Sequence, residues 1–375
     1  MNKVQKNTVR LSFAGLIVLE LIGVTFAHDG WIQTNVSRVS QGEMVYVDMQ
    51  FGNHQNMHRD YKIYASKWDK SVATFQLHTP QNEIINLEEK VIDIGMDETK
   101  ILGGGSVTYL DKNGYLVASF PANQRGLYIA DVRQDTVVSY APERSIKCAK
   151  AIVGSLQPAK DIYSDSLTGF DQVLDQVIEI VPMNDPTKLT VGDTLEFQVF
   201  FKGAPLADAE VSVIPRGKTL PEMGVPNPND LMTDMDGMAS FTFDEANYHL
   251  IVAHYHTDEA GTFNGKTYTN TKYTGDLTVI VRPALVPPSN LRILFATRQS
   301  ISIRWNDNSG NETGFEIERA DNQDGPWTLI ATKSANARFL NDVRLPSHAT
   351  YFYRVRAITP SAASDYSNII SVTTR

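Results

Sequence analysis

The sequence predicts an all-β chain built as tandem β-sandwiches. Short runs of apolar, β-branched and aromatic residues recur along most of its length, and turn signals such as Lys112-Asn113-Gly114 separate them. In the last quarter, runs such as Ser300-Ile301-Ser302-Ile303-Arg304-Trp305 alternate with the period of two that a half-buried strand requires. Spacing of this kind suggests a β-sandwich.

The N-terminal segment is an exception. Lys3, Lys6 and Arg10 precede an apolar run from Leu11 to Val24, and small residues stand at Thr25 and Ala27. That order is a cleavable secretory signal over residues 1–27; as a membrane span the run is too short, and Glu20 interrupts it. Cleavage after Ala27 leaves His28 first. A terminal histidine offers an α-amine (reference pKa about 8) and an imidazole (about 6.5), so both are nitrogen donors near neutral pH. Together they can chelate one ion, which then needs only one or two further side chains, and such donors suit copper, nickel, cobalt or zinc. The plainer reading is that histidine lands at the cleavage point by chance.

The chain has 375 residues, enough for two or three domains. Without residues 1–27 it holds 31 Lys and Arg against 42 Asp and Glu, spread along the sequence with no basic patch for a nucleic acid. Cys148 is the only cysteine, which excludes an intramolecular disulfide and a thiolate metal cluster. It lies far from the cleavage point, so it is not the acylated residue of a lipoprotein. A bacterial periplasm or the cell exterior is the expected compartment, and no second long apolar run predicts an anchor.

Strands are expected at Met44–Phe51, Ser71–Leu77, Val107–Leu110, Tyr115–Phe120, Leu127–Val132 and Val137–Tyr140, forming a first unit over 28–176. Gly103-Gly104-Gly105 reads as a flexible turn without the following helix of a phosphate loop. A second unit over 177–283 opens with Ile178–Pro182 and Leu195–Phe200. Thr233-Asp234-Met235-Asp236-Gly237 is a turn with Gly237 free to take positive φ, and it lacks the further ligands of a calcium loop.

Several stretches in order (His28-Asp29-Gly30-Trp31, Phe51-Gly52-Asn53-His54, Ile180-Val181-Pro182 through Asp185-Pro186 to Gly192-Asp193, Gly203–Val211 and Asp236-Gly237) resemble the DUF4198 family over about residues 28–283. The family is related to the soluble part of the NikM component of nickel and cobalt uptake systems. The resemblance implies β-sandwich domains and a role with transition metals outside the inner membrane. Gly30 departs from it, since members often have a bulky apolar residue there.

After the linker Arg282–Pro288, residues 284–375 are similar to a fibronectin type III domain. Trp305 fits the buried tryptophan of strand B, and Tyr351 with Tyr353 fits the tyrosines of strand F. That fold hosts adhesion, spacing and recognition alike, so it names no function. A protein or a polysaccharide is its expected ligand.

Seven of the eight histidines lie outside this last unit, and His348 within it reads as a surface residue. His254 and His256, two apart on a strand, should share one face with α-carbons about 6.5 to 7 Å apart. His249 has opposite parity and should face away. His54 and His58 share a loop and could meet one ion if it forms a helical turn, whereas His78, before Thr79-Pro80, reads as a turn residue. The plainer readings are a solvated strand end and a polar loop. Together the residues point to a metal site of His28, His54, and His254 or His256 or both, with His58 next. An all-nitrogen set favours Ni2+, Co2+ or Cu2+ over magnesium or calcium, and Asp29 is placed to orient an imidazole.

The first functional expectation is therefore a non-enzymatic exported protein that captures nickel or cobalt for a membrane transporter. A copper-dependent oxidative enzyme with an N-terminal histidine brace is the second, and a metal-free surface-recognition or adhesion protein is the third. No Ser-His-Asp signature, GxSxG or HExxH motif is present, so hydrolase chemistry ranks low.

Overall fold

The computed structural model describes residues 29–52, 59–60, 67–102, 105–138, 141–157, 165–221, 225–359 and 362–375. Among these residues the chain is strand and turn, with one 3₁₀ turn at Glu88–Lys90 and no α-helix. The first stretch supplies β1 (Asp29–Thr34), β2 (Arg38–Ser40), β3 (Met44–Gly52), β4 (Arg59–Asp60), β5 (Ala73–His78) and β6 (Ile84–Asn86). It continues with β7 (Ile92–Leu102), β8 (Gly105–Pro121), β9 (Gly126–Val137) and β10 (Glu143–Leu156). The next supplies β11 (Ile178–Pro182), β12 (Thr194–Phe201), β13 (Ala204–Pro205), β14 (Glu210–Pro215), β15 (Thr219–Leu220) and β16 (Asp230–Met232). It ends with β17 (Met238–Thr242), β18 (Tyr248–Thr257), β19 (Gly261–Phe263), β20 (Lys266–Tyr268) and β21 (Asn270–Ile280).

These strands do not divide into two separate sandwiches. A nine-stranded sheet of order β16-β14-β18-β21-β10-β9-β5-β6, with β2 beside β10, draws strands from both 28–176 and 177–283. The join is a parallel pairing of β10 with β21, from Glu143 opposite Asn270 to Ala151 opposite Thr278. One face of this sheet presents Ile146, Cys148, Ile251, Ala253, Tyr273 and Leu277, which pack on Ile180, Phe197 and Val199 of the sheet β11-β12-β13 with β17. The other face presents Ala149, Ala151 and Val153 to Val45, Val47, Leu116 and Phe120 of the sheet β1-β3-β8-β7.

Strand β1 is covered on both faces, which is why all six of its residues are buried. Ile32 enters the core with Val47 and Met49, while Trp31 packs with Ile214, Leu250 and Val252 beneath β14 and β18. Gly30 is explained by its neighbours: a Cβ there would stand 2.6 Å from the Trp68 ring and 2.9 Å from Phe51. Trp68 fills the space that a bulky residue at position 30 would need.

Two expected breaks are absent. Val107–Leu110 and Tyr115–Phe120 belong to the single strand β8, and Leu127–Val132 runs on to Val137 in β9. Gly114 has φ +120, yet it is a close approach rather than a turn, since a Cβ there would lie 2.2 Å from the Ile94 carbonyl oxygen of β7. Gly103 and Gly104 lie outside the described residues, and Gly105 opens β8. The Thr233–Gly237 turn forms as expected, with Gly237 at φ +73 and the Asp234 carboxylate accepting from the Asp236 and Met238 amides.

Residues 284–375 form β22 (Ser289–Ala296), β23 (Ser300–Asn306), β24 (Gly314–Ala320), β25 (Thr328–Ser334), β26 (Phe339–Val343), β27 (Thr350–Ile358) and β28 (Ile370–Thr373). Three strands, β22-β23-β26, face four, β25-β24-β27-β28, in the fibronectin type III arrangement. Trp305, Phe315 and Tyr353 fill its core, and the Tyr353 hydroxyl donates to Asp342 at 2.8 Å.

Candidate functional site

The candidate site lies where β1 crosses the polar part of the nine-stranded sheet. Alternation on β18 sends Ile251 and Ala253 into the apolar core and turns His254 and His256 to the side of β1. His254 pairs across the ladder with Thr274, and His256 with Lys272. On β21 the same parity gives Lys272, Thr274, Asp276 and Thr278, and on β10 it adds Lys147 opposite Thr274. All five are buried.

Asp29, the first residue of β1, sits over this row and is fully buried. His254 Nε2 donates to Asp29 Oδ2 at 2.9 Å, Thr274 Oγ1 donates to Asp29 Oδ1 at 3.2 Å, and Lys272 Nζ lies 3.9 Å from Oδ1. Burial alone would raise the Asp29 carboxyl, but Lys272 and His254 outweigh it and hold it well below the usual carboxylate range. The His254 ring is thereby oriented by Asp29, as the sequence suggests, and Nδ1 is the ring nitrogen that Asp29 does not engage. Burial also lowers Lys272 to about 8 against the pull of Asp29, and it lowers Lys147, whose ammonium donates to Ser145 Oγ at 2.7 Å.

Asp276 is the odd member. It is 1 % exposed, and neither carboxyl oxygen has a hydrogen-bond partner among the described residues. Burial and the Asp29 charge raise its carboxyl well above the usual carboxylate range, which favours the protonated form.

His256 stands at the exposed margin of the same face. Although water reaches it, desolvation, Lys272 and His254 lower it to about 4, so at neutral pH its ring is an uncharged donor. His249 faces the other way, as its parity demands, against Phe243 at a centroid distance of 4.8 Å. His78 is not a turn residue: it ends β5, buried, with Nε2 3.4 Å from Asp131 Oδ2. His348 is exposed between β26 and β27.

Of the five predicted ligands, His254 and His256 are brought to one face, while His28, His54 and His58 lie outside the described residues. Their described neighbours are informative. Asp29 follows His28, and its ladder partner across β1 and β3 is Gly52, two residues before His54. Arg59, which follows His58, pairs with Leu220, and Leu220 packs with Trp31. Among the described residues no group of three His, Cys, Asp or Glu side chains could hold a metal ion. Also among them, no helix is long and apolar enough to cross a membrane.

Lys147, Lys272, Thr274 and Asp276 were not legible as site residues. Lys272, Thr274 and Asp276 alternate on β21 and Lys147 lies on β10, and only the parallel join of these strands and the crossing of β1 bury them together.

The family model for a domain of unknown function, DUF4198, matches residues 25–257, which include β1 through β18 and every member of this site except those on β21. The chain belongs to the DUF4198 family. No curated protein matches it. Among solved structures it is similar to domains A168–A170 of titin, at 11 % identity with 93 % of this chain and 99 % of that chain covered and a TM-score of 0.30. A two-domain fibronectin type III segment of chicken tenascin matches at 12 % identity, covering 49 % and 94 %, with a TM-score of 0.26. A Fn3-like protein from Clostridium thermocellum matches at 20 % identity, covering 24 % and 95 %, with a TM-score of 0.22.

Proposed function

We propose that this DUF4198 protein is exported to the periplasm or the cell exterior and binds a transition-metal ion, nickel or cobalt foremost, for delivery to an uptake system. The observation that supports this is the contact of His254 with Asp29. It joins the strand after His28 to the strand bearing His254 and His256, while Gly52, the ladder partner of Asp29, leads to His54. Asp29, Gly52 and His254, far apart in sequence, therefore meet at one corner of the fold, and the first two adjoin His28 and His54 in sequence. His254 through Nδ1 and His256 through its neutral ring supply nitrogen donors suited to Ni2+, Co2+ or Cu2+. Asp29 acts behind His254, fixing its tautomer. In this reading the ion is cargo, bound and released unchanged, and no catalytic group is required.

Calorimetric titration with nickel, cobalt and copper tests the reading. The chain beginning at His28 should bind one ion, and a version with one alanine added before His28 should bind at least tenfold more weakly, a loss of about 1.4 kcal/mol. Equal affinity would remove the α-amine from the site, and absence of binding would overturn the reading.

A further inference from the structure

Two uncovered apolar sheet faces stand in different units of this protein. The first is the outer side of β22-β23-β26. Because Ile301, Ile303 and Trp305 point into the core, Ser300, Ser302 and Arg304 lie on the opposite side of β23 with the residues paired to them; Ser302 is buried there, bonded to Asn341, and Arg304 is exposed. Phe295 opposite Ser302 and Phe339 opposite Arg304 lie there, 52 % and 46 % exposed, with Val343 opposite Ser300. Arg292 and Arg304 lie on the same face directly across from one another. Like charges so placed destabilise a sheet unless an anionic group covers them.

The second is the outer side of β3-β8-β7. Val45, Val47 and Met49 point inward, leaving Met44, Tyr46 and Asp48 outside, with Val117 opposite both Asp48 and Ile92. Tyr46 is 49 % exposed and Ile92 is 66 % exposed. Asp48 is on the face, and the exposed Glu88 and Glu89 precede β7. Charge divides the same way. Residues 284–375 hold 10 Lys and Arg against 8 Asp and Glu, whereas residues 29–283 hold 21 against 34. Scattered exposed apolar residues are ordinary, but contiguous faces of this kind mark contact surfaces.

We propose that the two faces are complementary halves of one contact, so that the fibronectin-like unit of one copy docks on the β3-β8-β7 face of a second copy. Phe295 and Phe339 lie against Tyr46 and Ile92, and Arg292 and Arg304 meet the acidic side of the partner copy. The contact is heterologous: each copy keeps one free donor face and one free acceptor face, so assembly continues into chains or closes into a ring rather than stopping at a dimer.

Sedimentation velocity on the full chain tests this directly. The average mass should rise with protein concentration at low salt without a plateau at two copies, and fall as salt is raised. One variant carries Phe295→Asp and Phe339→Asp, and another carries Tyr46→Lys and Ile92→Lys. Both change exposed positions, and unchanged circular dichroism and thermal unfolding certify their folds. Each alone should be monomeric, with self-association weakened at least tenfold. Mixed in equal amounts they should form a one-to-one dimer and nothing larger, because one retains the acceptor face and the other the donor face. If a charge reversal at Arg304 (Arg304→Glu) weakens assembly and Asp48→Arg restores it, the register is supported. A wild-type chain that stays monomeric at every concentration, or a mixture of the two variants that stays monomeric, overturns the proposal. So does a monomeric chain whose basic face binds anionic vesicles instead.

Discussion

At β18 the two faces of the nine-stranded sheet obey different physics. On β18, Ile251 and Ala253 enter a close-packed apolar core, while one residue along, His254 joins a buried set of Asp29, Lys272, Thr274 and Asp276. The apolar face is stabilised by area removed from water. The polar face has to desolvate charges, and their mutual attraction only partly offsets that penalty. A sheet designed for stability alone would repeat the first pattern on both sides. We read the second as retained for the site under β1, and several measurements can break or sharpen the contrast.

The largest effect belongs to the apolar face. Phe197→Ala leaves a cavity among Val199, Ile251 and Leu277 and should cost about 3–5 kcal/mol in urea unfolding. On the polar face, Asp29→Ala removes the buried carboxylate that accepts from His254 and Thr274 and lies 3.9 Å from Lys272, and should cost roughly 3 kcal/mol. A loss under about 1 kcal/mol would mean that water already screens this cluster.

pH separates the faces further. Burial lowers His249 to about 4 from 6.5, so the unfolded chain takes up this proton first. The stability linked to it is whole above 6.5 and lost as pH falls toward 4, about 3 kcal/mol by that point. His249→Phe should flatten this part of a stability-against-pH curve, and an unchanged curve would contradict the buried neutral ring. Asp276 has the opposite sign. Its raised pKa means that the folded state holds a proton the unfolded state has lost, so its contribution falls as pH rises above the ordinary carboxylate range. Asp276→Asn should therefore remove this fall, so its advantage over the wild type widens as pH rises above the ordinary carboxylate range in urea unfolding, and a constant difference would contradict the raised carboxyl. The smallest effect is kinetic. The Cys148 thiol, buried and raised to about 12, should react with a thiol reagent only as fast as the protein opens.

Much of the fold was legible because strands announce themselves locally. The runs at Met44–Phe51, Ile178–Pro182, Leu195–Phe200 and Ser300–Trp305 became β3, β11, β12 and β23 with ends shifted by no more than a residue. Parity alone placed His254 and His256 on one face and His249 on the other. Long-range pairing was not legible. Nothing local in Glu143–Leu156, where Lys147 and Lys150 suggest water, predicts a strand between β9 and β21 with Lys150 buried against Glu179 at 2.8 Å. The Lys112-Asn113-Gly114 signal was misleading for a related reason, since Gly114 serves a close approach to Ile94 on a neighbouring strand. The site shares this limit: its histidines stand out by residue type, while Lys147, Lys272 and Asp276 become site residues only through tertiary burial.

The central claim is that the polar face, and not the strand as such, makes the metal site, and β18 contains its own control. Nickel affinity should be measured by calorimetry for His254→Ala and His249→Ala beside the wild type. A loss of tenfold or more for His254→Ala, with His249→Ala within twofold of wild type, is the predicted result. Equal affinities for all three, or a greater loss at His249, would contradict it.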